Sequence, residues 1–173
     1  MNYHDLPIGE HAPEIITVVI EIGSGTHNKY EYDHTLGVFK LDRVLHSPMF
    51  YPVDYGFIPC THADDGDPLD ILVLTDSPTF SGCVCEVRPI GALTMTDDKG
   101  GDDKILAVPV GNPHYNSVKD LSDLEPHLLD EISHFFATYK TLEKKEVHID
   151  GWHKREKAYQ LIESARKAYA SHS

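Results

Sequence analysis

Three aspartates, Asp65, Asp67 and Asp70, lie within six residues of one another, beside a glycine and a proline and directly before an apolar segment. Carboxylates this close repel one another, and a divalent cation removes the repulsion. Because carboxylate oxygens are hard ligands, they suit Mg²⁺ or Mn²⁺. An EF-hand calcium loop is excluded, since Leu69 and Asp70 stand where that loop has Asp or Asn and then Gly. Taken alone, an acidic turn whose aspartates cap backbone amides explains the segment equally well.

A second acidic segment, residues 96–104, contains Asp97 and Asp102 and lies between two predicted strands. Two acidic loops that both separate strands can open on the same end of a barrel. An ordinary exposed hairpin has a similar composition, so this segment does not establish a site by itself.

Groups that can bind an anion are spread over other parts of the chain. Lys29 and Glu31 alternate with Tyr30, so they share one face of a strand. The other residues that can donate to an anion are Arg43, Tyr51, Tyr55, Tyr139 and Lys140, and Glu21 is a further acid at the end of a predicted strand. Each has an ordinary explanation as an edge charge, a core aromatic or a partner of a helix dipole. Together, carboxylates that need cations and donors that need an anion predict a phosphate-transfer site.

The elements that must position these side chains are predicted to be strands in the first two-thirds of the chain and helices in the last third. Predicted strands are residues 15–22, 30–33, 38–44, 69–75, 84–95 and 104–110. Closely spaced antiparallel strands favour a barrel over a parallel sheet. Helical spacing predicts one helix within 124–139, with Pro126 in its first turn, and another from about 154 to 169. A short strand at 146–149, closed by Gly151, is predicted between them. We therefore expect a mainly β, α+β fold, a barrel with two C-terminal helices packed on it.

Composition narrows the functional classes. The 173 residues suit one domain, which we expect to span residues 1–173. No apolar run approaches the roughly 20 residues of a membrane helix, and the N-terminus lacks a secretory pattern, so we expect a cytoplasmic protein without membrane contact. A formal net charge of −13 disfavours a nucleic-acid partner. The three cysteines do not form a disulfide framework.

The sequence resembles the soluble family I inorganic pyrophosphatases, most closely the bacterial type. Residues 65–71, Asp-Gly-Asp-Pro-Leu-Asp-Ile, fit the family signature, and the similarity runs with few gaps from about residue 15 to residue 152. The resemblance implies a five-stranded, OB-like barrel with flanking helices. It also implies hydrolysis of pyrophosphate to two orthophosphates, Mg²⁺ as cofactor with Mn²⁺ or other divalent cations as substitutes, and a homohexamer.

The resemblance also implies a role for each matching position. The implied metal ligands are Asp65, Asp70, Asp97 and Asp102. Asp67 matches the general base for the attacking water, and Glu21 and Glu31 match acids that orient metal-bound waters. The implied substrate-binding residues are Lys29, Arg43, Tyr55, Lys104, Tyr139 and Lys140. Tyr51 matches a supporting tyrosine near the acids, and Asp103 has no assigned role.

Three other functions are compatible with parts of the pattern. A magnesium-dependent phosphohydrolase acting on nucleoside polyphosphates needs a pocket for the base, which the sequence does not display. A non-enzymatic OB-fold binding module needs a basic groove with stacking aromatics, whereas the candidate loops here are acidic. An acidic calcium-binding domain would bind calcium without hydrolysis.

Overall fold

The computed structural model describes residues 2–172, which form nine strands and two α-helices. The strands are β1 (Ile16–Ile22), β2 (Asn28–Asp33), β3 (Val38–Val44), β4 (Asp54–Phe57), β5 (Asp70–Val73), β6 (Val84–Asp97), β7 (Gly100–Gly101), β8 (Lys104–Pro109) and β9 (His148–Lys154). The helices are α1 (Pro126–Thr138) and α2 (Arg155–His172). Of four short 3₁₀ turns in the described chain, one precedes β1 and three lie between β8 and β9.

Five strands close into a barrel, as the resemblance implied. Strand β1 pairs with both β4 and β6, and the ring continues through β5 and β8. Strand β4 is absent from the predictions, because its four residues combine an aspartate and a glycine with two aromatics and show no strand-like alternation. Strand β9 pairs with β6 outside the ring, and β7 forms a short hairpin with the end of β6.

One pairing in the ring is parallel, whereas the spacing of the strands favoured antiparallel neighbours. Strands β5 and β8 run in the same direction, with Asp70 opposite Lys104. The loops that precede both strands therefore enter the barrel at the same rim. Strand β6 runs in the opposite direction beside β8, so its last residue, Asp97, reaches that rim as well. The two acidic segments thus open on the same end of the barrel, as expected.

The junction between β1 and β4 requires a glycine. Gly56 lies opposite Ile20, and a Cβ atom built on Gly56 would stand 1.9 Å from the carbonyl oxygen of Val19. The register of β1 shifts next to this point, between Ile20 and Ile22. A side chain at position 56 would therefore push the two backbones apart where the barrel closes.

The hairpin of β2 and β3 forms a separate two-stranded sheet within the described chain. Its contacts with the barrel include a hydrogen bond from the Tyr32 backbone N–H to Glu21 Oε1 of β1, at 2.7 Å, and an aromatic cluster. Tyr32 packs with Phe39 of the hairpin and Phe57 of β4. The hairpin carries Lys29 and Arg43 as directly opposite residues.

Two helices pack on the barrel, as predicted, and they cover different parts of it. Helix α1 buries Ile132, Phe135 and Phe136 in a core cluster, while Leu128 on the same stripe is only half-buried. Helix α2 buries Ala158, Ile162 and Ala165 in the second core cluster, which also contains residues from β1, β5 and β8. None of the described helices is long and apolar enough to cross a membrane.

The boundaries of the strand between the helices differ from the prediction. Strand β9 begins at His148 and continues through Gly151 to Lys154 instead of ending at the glycine. Gly151 has φ of +138°, and the register against Thr94 and Met95 shifts there. The glycine therefore permits an irregularity inside the strand and does not terminate it.

Candidate active site

A cavity of about 400 Å³ opens at the rim where the acidic loops meet. Twelve of the fourteen residues singled out from the sequence line it: Glu21, Lys29, Glu31, Arg43, Tyr55, Asp65, Asp67, Asp70, Asp97, Asp102, Tyr139 and Lys140. The other two, Tyr51 and Lys104, are buried. Tyr51 packs on the ring of Tyr55, at 5.8 Å between centroids, and on Phe135. The structure therefore brings residues from distant segments to one place.

Lys104 joins the two acidic loops beneath the cavity. Its Nζ atom donates to Asp70 Oδ2 at 2.6 Å and to Asp102 Oδ1 at 2.8 Å, and the residue is 1% exposed. Burial lowers the pKa of Lys104, but the two carboxylates outweigh it and the net pKa is raised. The ammonium also lies over the rings of Tyr55 and Phe136, at 5.4 and 5.2 Å. The Lys104 ammonium therefore already binds both Asp70 and Asp102.

Tyr55 contacts the same carboxylate from the neighbouring strand β4. Its hydroxyl donates to Asp70 Oδ2 at 2.5 Å. Burial, and then the nearby charge of Asp70, raise the pKa of the Tyr55 phenol well above its usual range. The hydroxyl is therefore held in its protonated, donating form.

Asp97 is paired with a lysine from the end of α1. Lys140 Nζ donates to Asp97 Oδ2 at 2.8 Å, and the backbone N–H of Lys99 donates to Asp97 Oδ1 at 2.8 Å. Burial opposes ionisation, but these hydrogen bonds outweigh it and lower the pKa of Asp97. The pair connects the C-terminal end of the helix to the cavity.

Asp67 stands on the exposed loop before β5, and its own backbone N–H donates to Asp65 Oδ1 at 3.1 Å. Partial desolvation at the cavity wall raises the pKa of Asp67, and the charges of Asp65 and Asp70 raise it further. A carboxylate with a raised pKa and access to solvent is a better proton acceptor than an ordinary aspartate.

Glu21 is buried on β1, next to Tyr32 of the hairpin. Desolvation raises its pKa to about 8, although the hydrogen bond from the Tyr32 backbone opposes this shift. Glu31 forms an ion pair with Lys29 across one residue of β2. Both acids line the cavity.

Two acids that the sequence interpretation did not assign also contact the basic residues of the hairpin. Asp42 Oδ2 lies 3.6 Å from Lys29 Nζ and 3.6 Å from Arg43 Nη1. Glu143 Oε1 lies 3.3 Å from Arg43 Nε. Asp42 adjoins Arg43 in the sequence, but nothing in the sequence links Glu143 to a residue one hundred positions earlier. Asp103 lines the cavity, and its Oδ1 accepts the backbone N–H of Met95 at 3.3 Å.

The donor chemistry of this site fits a hard divalent cation. No three His, Cys, Asp or Glu side chains among residues 2–172 are arranged to hold one ion. The acids are instead held by the ammonium groups of Lys104 and Lys140. Burial raises the pKa of Asp102; the Lys104 ammonium opposes this shift, and the charge of Asp70 adds to it. Hard divalent cations bind carboxylate oxygens, so these aspartates have the donor atoms that such an ion requires.

The chain is similar to inorganic pyrophosphatases in sequence and structure. The family model for inorganic pyrophosphatase matches residues 18–170. The Nostoc sp. inorganic pyrophosphatase is 54% identical over 157 residues, covering 91% of this chain and 93% of that protein. The Haloferax volcanii inorganic pyrophosphatase is 49% identical over 168 residues, covering 96% and 95%. The crystal structure of the Thermus thermophilus inorganic pyrophosphatase superposes with a TM-score of 0.96 at 46% identity, covering 98% of this chain and 99% of that one.

Proposed function

This chain belongs to the family I inorganic pyrophosphatases and hydrolyses pyrophosphate, and from that premise we propose which side chains carry each part of the reaction. The observation that supports the assignment is the cavity, where acids from several strands face lysine, arginine and tyrosine donors. A polyanion bound to divalent cations suits this lining, because the cations can bind the acids and the anion can accept from the lysine, arginine and tyrosine donors.

Pyrophosphatases of this family are metal-dependent hydrolases, and we propose Mg²⁺ as the working cation, with Mn²⁺ or other divalent cations as substitutes. The residues that would hold it are Asp65, Asp70, Asp97 and Asp102, all of which line the cavity. Bound divalent cations lower the pKa of a coordinated water from about 16 towards neutrality and neutralise substrate oxygens. Glu21 and Glu31 would orient the waters of this site.

Asp67 accepts the proton of the attacking water in the proposed mechanism. The water oxygen forms a bond to one phosphorus, its proton passes to the Asp67 carboxylate, and the bridging P–O bond breaks. No covalent enzyme intermediate forms, and both products are orthophosphate. The raised pKa of Asp67 and its position at the cavity wall support this role.

Negative charge on the departing phosphate is stabilised by donors on two sides of the cavity. The hairpin contributes Lys29 and Arg43, and the end of α1 contributes Tyr139 and Lys140. Tyr55 adds a hydroxyl from the barrel. Lys104 is buried against Asp70 and Asp102, so we propose that it acts on the substrate through the charge it gives to these acids.

Beyond the reaction, we propose that residues 1–173 form one domain that works in the cytoplasm as a homohexamer. Exposed apolar side chains such as Phe80, Leu36 and Leu41 offer surface for contacts between copies. Analytical ultracentrifugation tests the assembly, and a monomer at micromolar concentration would contradict it.

The assignment of Asp67 is tested by Asp67→Asn, with Asp64→Asn as the matched control. Asp64 is an exposed carboxylate three residues away on the same loop. We expect Asp67→Asn to lower the rate of phosphate release from pyrophosphate by about 10² or more and to retain Mg²⁺ affinity. Asp64→Asn should keep the parental rate. Near-normal turnover by Asp67→Asn would remove Asp67 from the base role.

The same assay tests the substrate class and the cation. Phosphate release should require Mg²⁺ and should be much faster from pyrophosphate than from ATP. Equal or faster release from ATP would instead favour the phosphohydrolase of nucleoside polyphosphates.

A further inference from the structure

Arg43 lies on a hairpin whose backbone does not join the barrel ladders within the described chain. Its position relative to the cavity therefore depends on side-chain contacts. On one side, Arg43 Nη1 lies 3.6 Å from Asp42 Oδ2 of the same strand. This contact cannot fix the hairpin against the rest of the molecule, because both residues move with β3.

Arg43 also contacts Glu143, which lies outside the hairpin. This residue ends a 3₁₀ turn, Thr141–Glu143, that directly follows Lys140 at the end of α1. The Glu143 backbone N–H donates to the Lys140 carbonyl at 3.0 Å, and Lys144 adopts a left-handed conformation with φ of 59°. The turn thus fixes Glu143 relative to Lys140, a proposed substrate-binding residue that lines the cavity.

The carboxylate of Glu143 is buried against the guanidinium. Its side chain is 8% exposed, and Oε1 lies 3.3 Å from Arg43 Nε. Both atoms are buried, and neither has a hydrogen-bond partner within residues 2–172. The pair is close enough for a strong charge interaction but is not aligned as a hydrogen bond. A buried carboxylate is costly unless it is paired with a cation, so Glu143 favours the hairpin position that brings Arg43 to it.

We propose that Glu143 is a positioning residue that holds the Arg43 guanidinium at the cavity and couples the hairpin to the Lys140 side. The inference rests on the proposed role of Arg43 in stabilising the departing phosphate. Glu143 does not line the cavity itself. It acts through Arg43, and its removal lets the arginine and the hairpin depart from their working position.

The test is a double-mutant cycle with Glu143→Gln, Arg43→Ala and the double variant. Glu143→Gln keeps the shape of the side chain and removes its charge. Glu146→Gln is the matched control, because Glu146 is an exposed carboxylate three residues further along the same segment. Glu143→Asp, which keeps the charge but shortens the side chain, serves if the Gln variant does not fold. Steady-state hydrolysis of pyrophosphate is measured at saturating Mg²⁺, together with the melting temperature of each variant.

We expect Glu143→Gln to lower kcat/KM about tenfold, which corresponds to about 1.4 kcal/mol, within the range of contacting pairs. The loss should lie mainly in kcat, because charge on the leaving phosphate develops in the transition state. Glu146→Gln should remain within about twofold of the parent. In the Arg43→Ala background, Glu143→Gln should change kcat/KM by less than about twofold, because Arg43 no longer transmits its effect.

The outcomes separate this inference from the proposed function. If Arg43→Ala is impaired and Glu143→Gln only lowers the melting temperature while kcat stays unchanged, Glu143 is structural and the inference is wrong. Losses that multiply in the double variant would also overturn it. Near-parental turnover by Arg43→Ala would overturn the proposed role of Arg43, and this inference with it.

Discussion

Replacing Lys104 with methionine isolates the central charge arrangement of the site. Methionine keeps most of the length of the side chain but removes the ammonium that donates to Asp70 at 2.6 Å and to Asp102 at 2.8 Å. The two carboxylates would then face each other without a counterion beneath them. Because Lys104 is 1% exposed, water cannot replace the lost contacts without rearrangement of the barrel rim.

The expected cost follows from the burial of the pair. Breaking a buried charge pair by removing one partner costs about 3–5 kcal/mol, because the remaining charge is left uncompensated. Domains of ordinary stability unfold with about 5–15 kcal/mol, so this loss is a large part of the whole. The exposed pair of Lys40 with Asp33 provides the control, since an exposed pair contributes about 0–1 kcal/mol.

The assay is urea unfolding in EDTA at pH 7.5 and fixed protein concentration, for the parent, Lys104→Met and Lys40→Met. We expect a loss of about 3–5 kcal/mol for Lys104→Met and less than about 1 kcal/mol for Lys40→Met. Saturating Mg²⁺ should narrow the difference, because Asp70 and Asp102 attract the cation more strongly once the ammonium is gone. A loss in EDTA no greater than that of the control would refute the idea that the lysine compensates these acids.

Three further predictions concern the acids and the barrel. Removal of divalent cations with EDTA should lower the melting temperature by about 5–10 °C, since a ligand at 100 times its Kd adds about 2.7 kcal/mol; an unchanged value in calorimetry would argue against a preformed carboxylate site. Desolvation raises the pKa of Glu21 to about 8, so the folded metal-free protein keeps a proton that the unfolded chain loses near 4.5. The free energy of unfolding should therefore fall as pH rises between these two values. Glu21→Gln should remove that part of the fall, as measured by urea midpoints in EDTA at pH 6 and pH 9, and an identical fall in both proteins would contradict the shift. Gly56→Ala should cost about 3 kcal/mol in urea unfolding, because its Cβ would meet the Val19 carbonyl, and a loss below 1 kcal/mol would show that the strands can separate there.

Local patterns in the sequence predicted the elements that have strong periodicity. The apolar stripe of α1, including Phe135 and Phe136, is buried as expected, and the acidic turn before β5 lies at the cavity. These features depend on residues close together in the chain. Strand β4 was missed because it is short and contains Gly56, whose requirement comes from a neighbouring strand.

Features that depend on distant partners were not available from local patterns. By residue type, Asp54 could be another acid of the site. It is instead fully buried and accepts hydrogen bonds from Ser24 and Thr79. Lys104 was expected among the substrate-binding residues, but its burial beneath Asp70 follows from strand pairing. Likewise, the contact of Glu143 with Arg43 joins a helix end to a hairpin, and no spacing rule connects them.

The parallel pairing of β5 and β8 determines the distance between Asp70 and Lys104. Neighbouring strands lie about 4.8 Å apart, so the side chains of Asp70 and Lys104, opposite each other on this ladder, inherit their separation from the backbone. The separation of 34 residues along the chain does not enter this distance. Length changes in the intervening loops are therefore compatible with an intact site, whereas a slip of either strand by one residue would turn one of the two side chains to the other face of the sheet. The precision of the chemistry is thus a property of the ladder, and evolution can vary the loops around it.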